Sequence, residues 1–222
     1  MRINKWLAHN TNLSRRKADE VVSIGRVTLN GIEAQPGSDV KDGDIVRVDG
    51  RVITPVNDQH ITIALHKPVG YVTSKRGQGS HTVYELLPPE LHHLNPIGRL
   101  DKDSSGILLM SSDGNLVQSL GHPSNNHKKV YIVTLDRELL QANEKKLING
   151  VDIGDNKPSR LGLKPLSADR LTWEVTLTEG RNRQIRRSFA SVGNRVQTLH
   201  RTSFGTYDIT AVKPGKFTTI IV

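Results

Sequence analysis

The sequence predicts mixed helices and strands in two parts, and three observations predict it. Alternating apolar residues mark a strand in Leu171-Thr172-Trp173-Glu174-Val175-Thr176-Leu177. Spacing of i, i+3, i+4 marks a helix through Ala18, Val21 and Val22. The 222 residues allow one large domain or two modest ones, and Val56-Asn57-Asp58-Gln59 reads as a short linker. The expected parts are residues 1–58 and 59–222.

In the first part, Ser14 is placed as an N-cap and Gly25 as a helix stop. Arg15, Arg16 and Lys17 then fill the first turn, beside free backbone amides, a position suited to phosphate. Val27-Thr28-Leu29 is a strand, and Asn30-Gly31 is a tight-turn signal. Val40 and Gly43-Asp44-Ile45-Val46-Arg47-Val48 supply further short strands. The order helix, Ser-Arg-Arg, helix, Gly-Arg-Val, strand, Asn-Gly over Met1 to Asp49 resembles the S4-like RNA-binding module. That resemblance makes Arg2, Lys5, Arg15, Arg16, Lys17 and Arg26 the expected RNA contacts here.

In the second part, Ile61 to His66 reads as a strand running into Lys67-Pro68-Val69-Gly70-Tyr71. Gln78 to His81 reads as a loop, and Val83 to Leu87 as a short helix before Pro88-Pro89. His92 and His93 are adjacent, lack metal-ligand spacing and have no Cys partner, so they read as loop residues. Gly98-Arg99-Leu100-Asp101 then leads through Lys102-Asp103-Ser104-Ser105-Gly106 into the apolar run Ile107-Leu108-Leu109. The two glycines act as hinges, and the loop presents the Asp101 carboxylate from a buried element. Asp113 caps a helix beginning at Asn115, and His127 to Val133 alternates as a strand. Glu179-Gly180-Arg181-Asn182-Arg183-Gln184-Ile185-Arg186-Arg187 enters an amphipathic helix.

The formal charge of +9 points to a polyanionic partner. Its distribution says more: from Gly180 to Arg201 there are six arginines and no carboxylate. Arginine's planar fork suits phosphate, so Arg181, Arg183, Arg187 and Arg201 are expected RNA contacts. With no cysteine, disulfides and thiolate metal sites are excluded. The start Met1-Arg2-Ile3-Asn4-Lys5-Trp6 lacks the apolar core of a signal peptide, and no run approaches the roughly 20 apolar residues of a membrane span. A soluble cytoplasmic protein without membrane contact is expected, working as a monomer.

Lys-Pro-x-Gly at Lys67, the Gly98 to Leu109 segment, Lys-x-Tyr at Lys129 and Tyr131, and Gln184-Ile185-Arg186-Arg187 occur in the order of the pseudouridine synthase motifs. With the S4-like module in front, the chain resembles bacterial ribosomal-RNA pseudouridine synthases. The resemblance implies an α+β catalytic domain built on a large mixed, mostly antiparallel sheet. It implies Asp101 as the catalytic group and Arg186 as its ion-pair partner. Tyr131 would stack on the uracil, and Arg99 would occupy the space vacated by the flipped base. Ile185 and Leu100 would wall the pocket, with Lys67 as a further substrate contact. No cofactor and no metal are implied. The expected substrate is ribosomal RNA, more specifically that of the large subunit, with ribosomal assembly intermediates among the expected partners. The competing readings are a transfer-RNA synthase and a non-catalytic RNA-binding assembly factor. Asp101 either abstracts the ribose 2′ proton or attacks C1′, and the sequence leaves both routes open.

Overall fold

The computed structural model describes residues 1–11, 13–55, 60–122, 125–209 and 211–221, so the linker expected at 56–59 lies outside the described residues. The chain forms two compact units, Met1–Gln59 and His60–Val222.

The first unit contains α1 (Ile3–Asn10), α2 (Arg15–Ser23), β1 (Val27–Leu29), β2 (Ile32–Glu33), β3 (Val46–Val48) and β4 (Arg51–Val52), its strands ordered β2-β1-β3-β4 and all antiparallel. Ser14 caps α2, its Oγ accepting the Lys17 amide at 3.2 Å. Ala18, Val21 and Val22 lie buried against Ile3, Leu7, Val27 and Val46, so the helical spacing read from the sequence is the face that packs. Asn30 and Gly31 both take positive φ, 53° and 85°, as a two-residue hairpin turn requires. Asn30 also exchanges side-chain hydrogen bonds with Asp44 and the Ile45 amide, each 2.9 Å, tying the hairpin to the approach of β3. Val40 corrects the expected strand there. It is buried but joins no ladder, and its backbone pairs with the chain start, amide to Met1 O at 2.8 Å.

The second unit follows its chain as β5 (Thr62–Lys67), β6 (Asn95–Ile97), β7 (Ser105–Ser111), α3 (Gly114–Gly121), β8 (Lys129–Leu135), α4 (Gln141–Asn149), β9 (Gly162–Pro165), β10 (Thr172–Leu177), α5 (Gln184–Ser191), β11 (Val196–Phe204), β12 (Tyr207–Asp208) and β13 (Phe217–Thr219). The expected helix at 83–87 is a 3-10 turn, Val83–Leu86, closed by a capping box between Thr82 and Glu85. Nine strands form one sheet in the order β13-β5-β7-β11-β8-β10-β9, with β12 on β11 and β6 on β7. Among the described strands only β7 and β11 pair in parallel, so the sheet is mixed and mostly antiparallel, as the resemblance implies.

β7 is apolar on both faces because both are covered. Leu108 and Met110 join the main core with Ile63, Leu65, Val133, Trp173, Val175 and Phe189. Ile107 and Leu109 point the other way, onto Ala64, Ile97 and Phe204. Gly106, the second residue of this strand, has φ +113°, and a Cβ there would lie 2.1 Å from Arg201 O, so the parallel contact with β11 admits only glycine.

β11, the nine-residue strand beside β7, is not foreshadowed by any sequence pattern. Irregularities between Val196 and Thr198, and between Arg201 and Ser203, break the alternation that would have shown it. α4 is equally faint in sequence; it begins after Leu140, which offers no side-chain cap, and buries only Leu147.

Candidate active site

The loop from Gly98 to Ser104 is held from below by the Lys67–Thr73 segment. Lys67 is fully buried, and its ammonium donates to the carbonyls of Pro68 at 3.1 Å, Asp101 at 2.9 Å and Ser104 at 2.6 Å. The Gly70 amide donates to Lys102 O at 2.7 Å, and the Ser104 amide closes a turn onto Asp101 O at 3.1 Å. Thr73 Oγ1 donates to Leu100 O at 2.9 Å and accepts from Leu100 N at 3.2 Å. The peptides around Asp101 are thereby fixed, while its carboxylate keeps a side-chain exposure of 35 %. Lys67 is therefore corrected from substrate contact to loop anchor, because all three of its N–H donors are used internally. Burial pushes its pKa down to about 8, against the raising effect of Asp101 and Asp103. Thr73 escapes sequence reasoning, since a lone threonine after Lys-Pro-x-Gly carries no signal of a partner 27 residues away.

Above this loop lies a cleft of about 450 Å³, in the range that takes small organic groups. Asp101, Leu100, Arg99, Tyr131, Ile185 and Arg183 line it. Tyr131 comes from β8, where it pairs with Arg201 of β11 and Val175 of β10. Ile185 comes from the first turn of α5, and Arg99 stands exposed on the loop. The expected groups thus converge from separate segments of the chain.

The arginines are sorted differently from expectation. Arg183, in a left-handed conformation at the start of α5, forks Asp103 at 3.0 and 2.9 Å. The same guanidinium lies 3.6 Å from Asp101 Oδ2. Arg186, expected on Asp101, instead donates to Asp103 O at 2.8 Å and to Val196 O at 2.9 Å, with its Nε 3.3 Å from Asp103 Oδ2. The Arg183 fork, with the nearby Arg186 charge, holds the Asp103 carboxyl below the usual carboxylate range.

Arg181, Arg187 and Arg201 are corrected as free phosphate contacts. Arg181 and Arg187 converge on Asp155, and between them take the carbonyls of Ile153, Lys157, Pro158 and Asn182, pinning the 153–158 loop to the start of α5. Arg201 is buried and donates twice to Ile107 O, at 2.9 and 2.7 Å. Ser188 is buried too, and its hydroxyl joins Ser159 Oγ at 2.8 Å, while Gln184 Nε2 donates to that same oxygen at 2.9 Å. In the first unit, Arg26 forks Asp49 and Lys17 pairs with Glu20, whereas Arg15 and Arg16 are exposed without a partner among the described residues. Arg2 is also exposed.

Among the described residues no group of three or more His, Cys, Asp or Glu side chains is placed to hold a metal, and no helix is long and apolar enough to cross a membrane.

A mixed sheet with a carboxylate loop beneath an arginine-bearing helix, in a chain that begins with a small helical module, defines the class. Residues 61–191 match the RNA pseudouridylate synthase family, and residues 1–46 match the S4 domain. The dual-specificity RNA pseudouridine synthase RluF of Escherichia coli (strain K12) is 33% identical over 218 residues, covering 98% of this chain and 74% of that protein. An uncharacterized RNA pseudouridine synthase of Aquifex aeolicus (strain VF5) is 31% identical over 224 residues, covering 98% and 89%. A crystal structure of a pseudouridylate synthase superposes with a TM-score of 0.72 at 26% identity, covering 100% of this chain and 96% of that one. The chain belongs to the RNA pseudouridylate synthase family and is an RNA pseudouridine synthase with an S4 domain at its N-terminus.

Proposed function

We propose that this enzyme converts a specific uridine of large-subunit ribosomal RNA to pseudouridine, with Asp101 as the reacting group and without metal or cofactor. The observation that carries the reading is the Asp101 loop. Its backbone is tied at Leu100, Asp101, Lys102 and Ser104, yet its carboxylate opens on the cleft with no hydrogen bond to it among the described residues. Such rigidity around one accessible anion is what a positioned catalytic group needs.

The isomerisation breaks the bond from uracil N1 to ribose C1′ and forms one from C5 to C1′. A proton leaves C5 and another is gained at N1. Composition and oxidation state are conserved, so one anion beside the ribose supplies the chemistry, by 2′ proton abstraction or by attack at C1′. The base first leaves its stack, at a cost of a few kcal/mol that contacts in the cleft recover. Tyr131 offers a face for the uracil, Ile185 and Leu100 give apolar walls, and the exposed guanidinium of Arg99 fills the vacated stack. Arg15 and Arg16, in the first unit, hold RNA by its phosphates.

Asp101→Asn retains size but removes the anion, so tritium release from C5-labelled uridine should vanish while RNA binding persists. Turnover near the wild-type rate would reject the assignment. The dual specificity in the name of the Escherichia coli relative sets the range of the second test. Pseudouridine is mapped in ribosomal and transfer RNA from cells with and without the gene. Loss of a large-subunit position is expected, and loss confined to transfer RNA would replace the substrate.

A further inference from the structure

We propose that the loop from Thr73 to His81 is an RNA-binding surface of the catalytic unit, in which Lys75 and Arg76 take phosphates next to the target uridine. This rests on the reading of the Asp101 cleft as the active site. The arginines expected to meet RNA in this unit are held within the protein, Arg181 and Arg187 by Asp155 and Arg201 by Ile107 O. A strand entering the cleft still brings one negative charge per phosphate, and its affinity comes largely from cations that neutralise those charges. Val72, Thr73 and Ser74 line the cleft together with Arg99, Asp101 and Lys102, and the next two residues are Lys75 and Arg76. Both are exposed, and neither makes an ion pair among the described residues. Lys75 Nζ lies 5.7 Å from the centroid of the Tyr84 ring, which steadies its stem and leaves its charge toward solvent. Residues 72–81 contain no Asp or Glu.

The backbone that carries these two cations is fixed. At its base the Val72 amide donates to His81 O at 2.8 Å, and the Val83 amide donates to Val72 O at 3.0 Å. Ser74 Oγ donates to Arg76 O at 2.9 Å and accepts from the Arg76 amide at 3.2 Å, which sets the direction of the chain at the guanidinium. Gln78 and Gly79 both have positive φ, 46° and 85°, and the Ser80 amide closes the turn on Gly77 O at 2.9 Å. The loop is also tied to the reacting loop on both sides of Asp101. Thr73 Oγ1 bonds the Leu100 peptide, and Lys102 Nζ donates to Ser80 Oγ at 3.1 Å. A phosphate held at Lys75 and Arg76 is thereby placed relative to the Asp101 carboxylate. Phosphate contacts set the register of a strand without reading its sequence, and register is what this loop supplies.

The experiment uses the full-length protein and an unmodified transcript of large-subunit ribosomal RNA carrying C5-tritiated uridine. Kd against salt and single-turnover tritium release at saturating RNA are measured for wild type, Lys75→Gln/Arg76→Gln and Arg76→Lys, with thermal melting to check folding. Losing two phosphate contacts should flatten the log–log salt slope by roughly 1.4 and weaken binding by about tenfold or more near 0.1 M salt. The rate at saturating RNA should change far less. Arg76→Lys keeps the charge and should keep the slope. The chain has no cysteine, so Arg76→Cys supplies a single thiol for a photo-crosslinker, whose adducts should fall on nucleotides adjacent to the modified uridine. An unchanged slope in the double variant, an equal loss of slope in Arg76→Lys, or crosslinks scattered along the RNA would overturn the proposal. Turnover by Asp101→Asn, assayed alongside, would instead reject the active-site assignment, a failure separate from that of the loop, which the salt slope reports.

Discussion

Lys67 shows how one side chain determines what a loop does. Its ammonium replaces water for three carbonyls, one of them that of Asp101 itself. Lys67→Met would keep the buried stem but take a donor from all three carbonyls, leaving Pro68 O and Ser104 O without their ammonium partner while Asp101 O keeps the Ser104 amide. Each unpaired carbonyl costs about 1–3 kcal/mol, partly offset because no charge is buried, and a net loss of about 3 kcal/mol is expected in urea denaturation. The pH dependence follows from the displaced pKa. The folded chain releases this proton near pH 8 and the unfolded chain near 10.5, so the folded state binds fewer protons across that interval and its stability rises with pH there. The variant lacks the group, so the advantage of wild type over Lys67→Met should widen from about pH 7 to about pH 10. A constant difference would mean that Lys67 titrates alike in both states.

At the level of elements, the site depends on where β7 meets β11. The Asp101 loop ends as β7 starts, and Gly106 sits at the parallel contact, paired with Arg201. Gly106→Ala would force a methyl against backbone atoms of Arg201, at a φ that alanine resists. The expected cost is about 2 to 4 kcal/mol, with a slower single-turnover rate because the carboxylate loop is displaced with the strand. Equilibrium denaturation and tritium release report these separately, and unchanged values for both would show that the strands separate without consequence. α5 is the second element on which the site depends. Its start is fastened by Arg181, Arg187, Gln184 and Ser188 to the 153–159 loop, so a cluster whose charge suggests an RNA-facing surface mostly serves to aim Arg183 and Ile185.

For the molecule as a whole, several of the cations that the sequence assigns to RNA are held by the protein itself. Arg26 and Lys17 are paired, Arg181 and Arg187 are internal fasteners, and Arg201 is buried. Arg15 and Arg16 stand free at the start of α2 among the described residues, where helix amides add to their attraction for phosphate. The Arg15→Gln/Arg16→Gln pair should weaken RNA binding and flatten its salt dependence, by roughly 0.7 in log–log slope for each single-strand phosphate no longer neutralised. The rate at saturating RNA should change far less than the affinity. An unchanged slope would leave both arginines as solvated surface charge.

The sequence by itself determined the two-part layout, the amphipathic face of α2, the strands β5, β8 and β10, and the carboxylate loop between its glycines. Each is written in local spacing, where a period of 2 or 3.6 or a turn residue is enough. Only the tertiary structure decided β11, whose irregular pairing hides its period, and the partners of the arginines. A guanidinium in a sequence is a charge without an address: Arg183 and Arg186 find Asp103 some 80 residues away, and Arg201 finds the carbonyl of Ile107 across a parallel strand pair. Those contacts exist because the sheet brings distant segments within about 3 Å of one another, and a hydrogen bond depends on that distance rather than on separation along the chain.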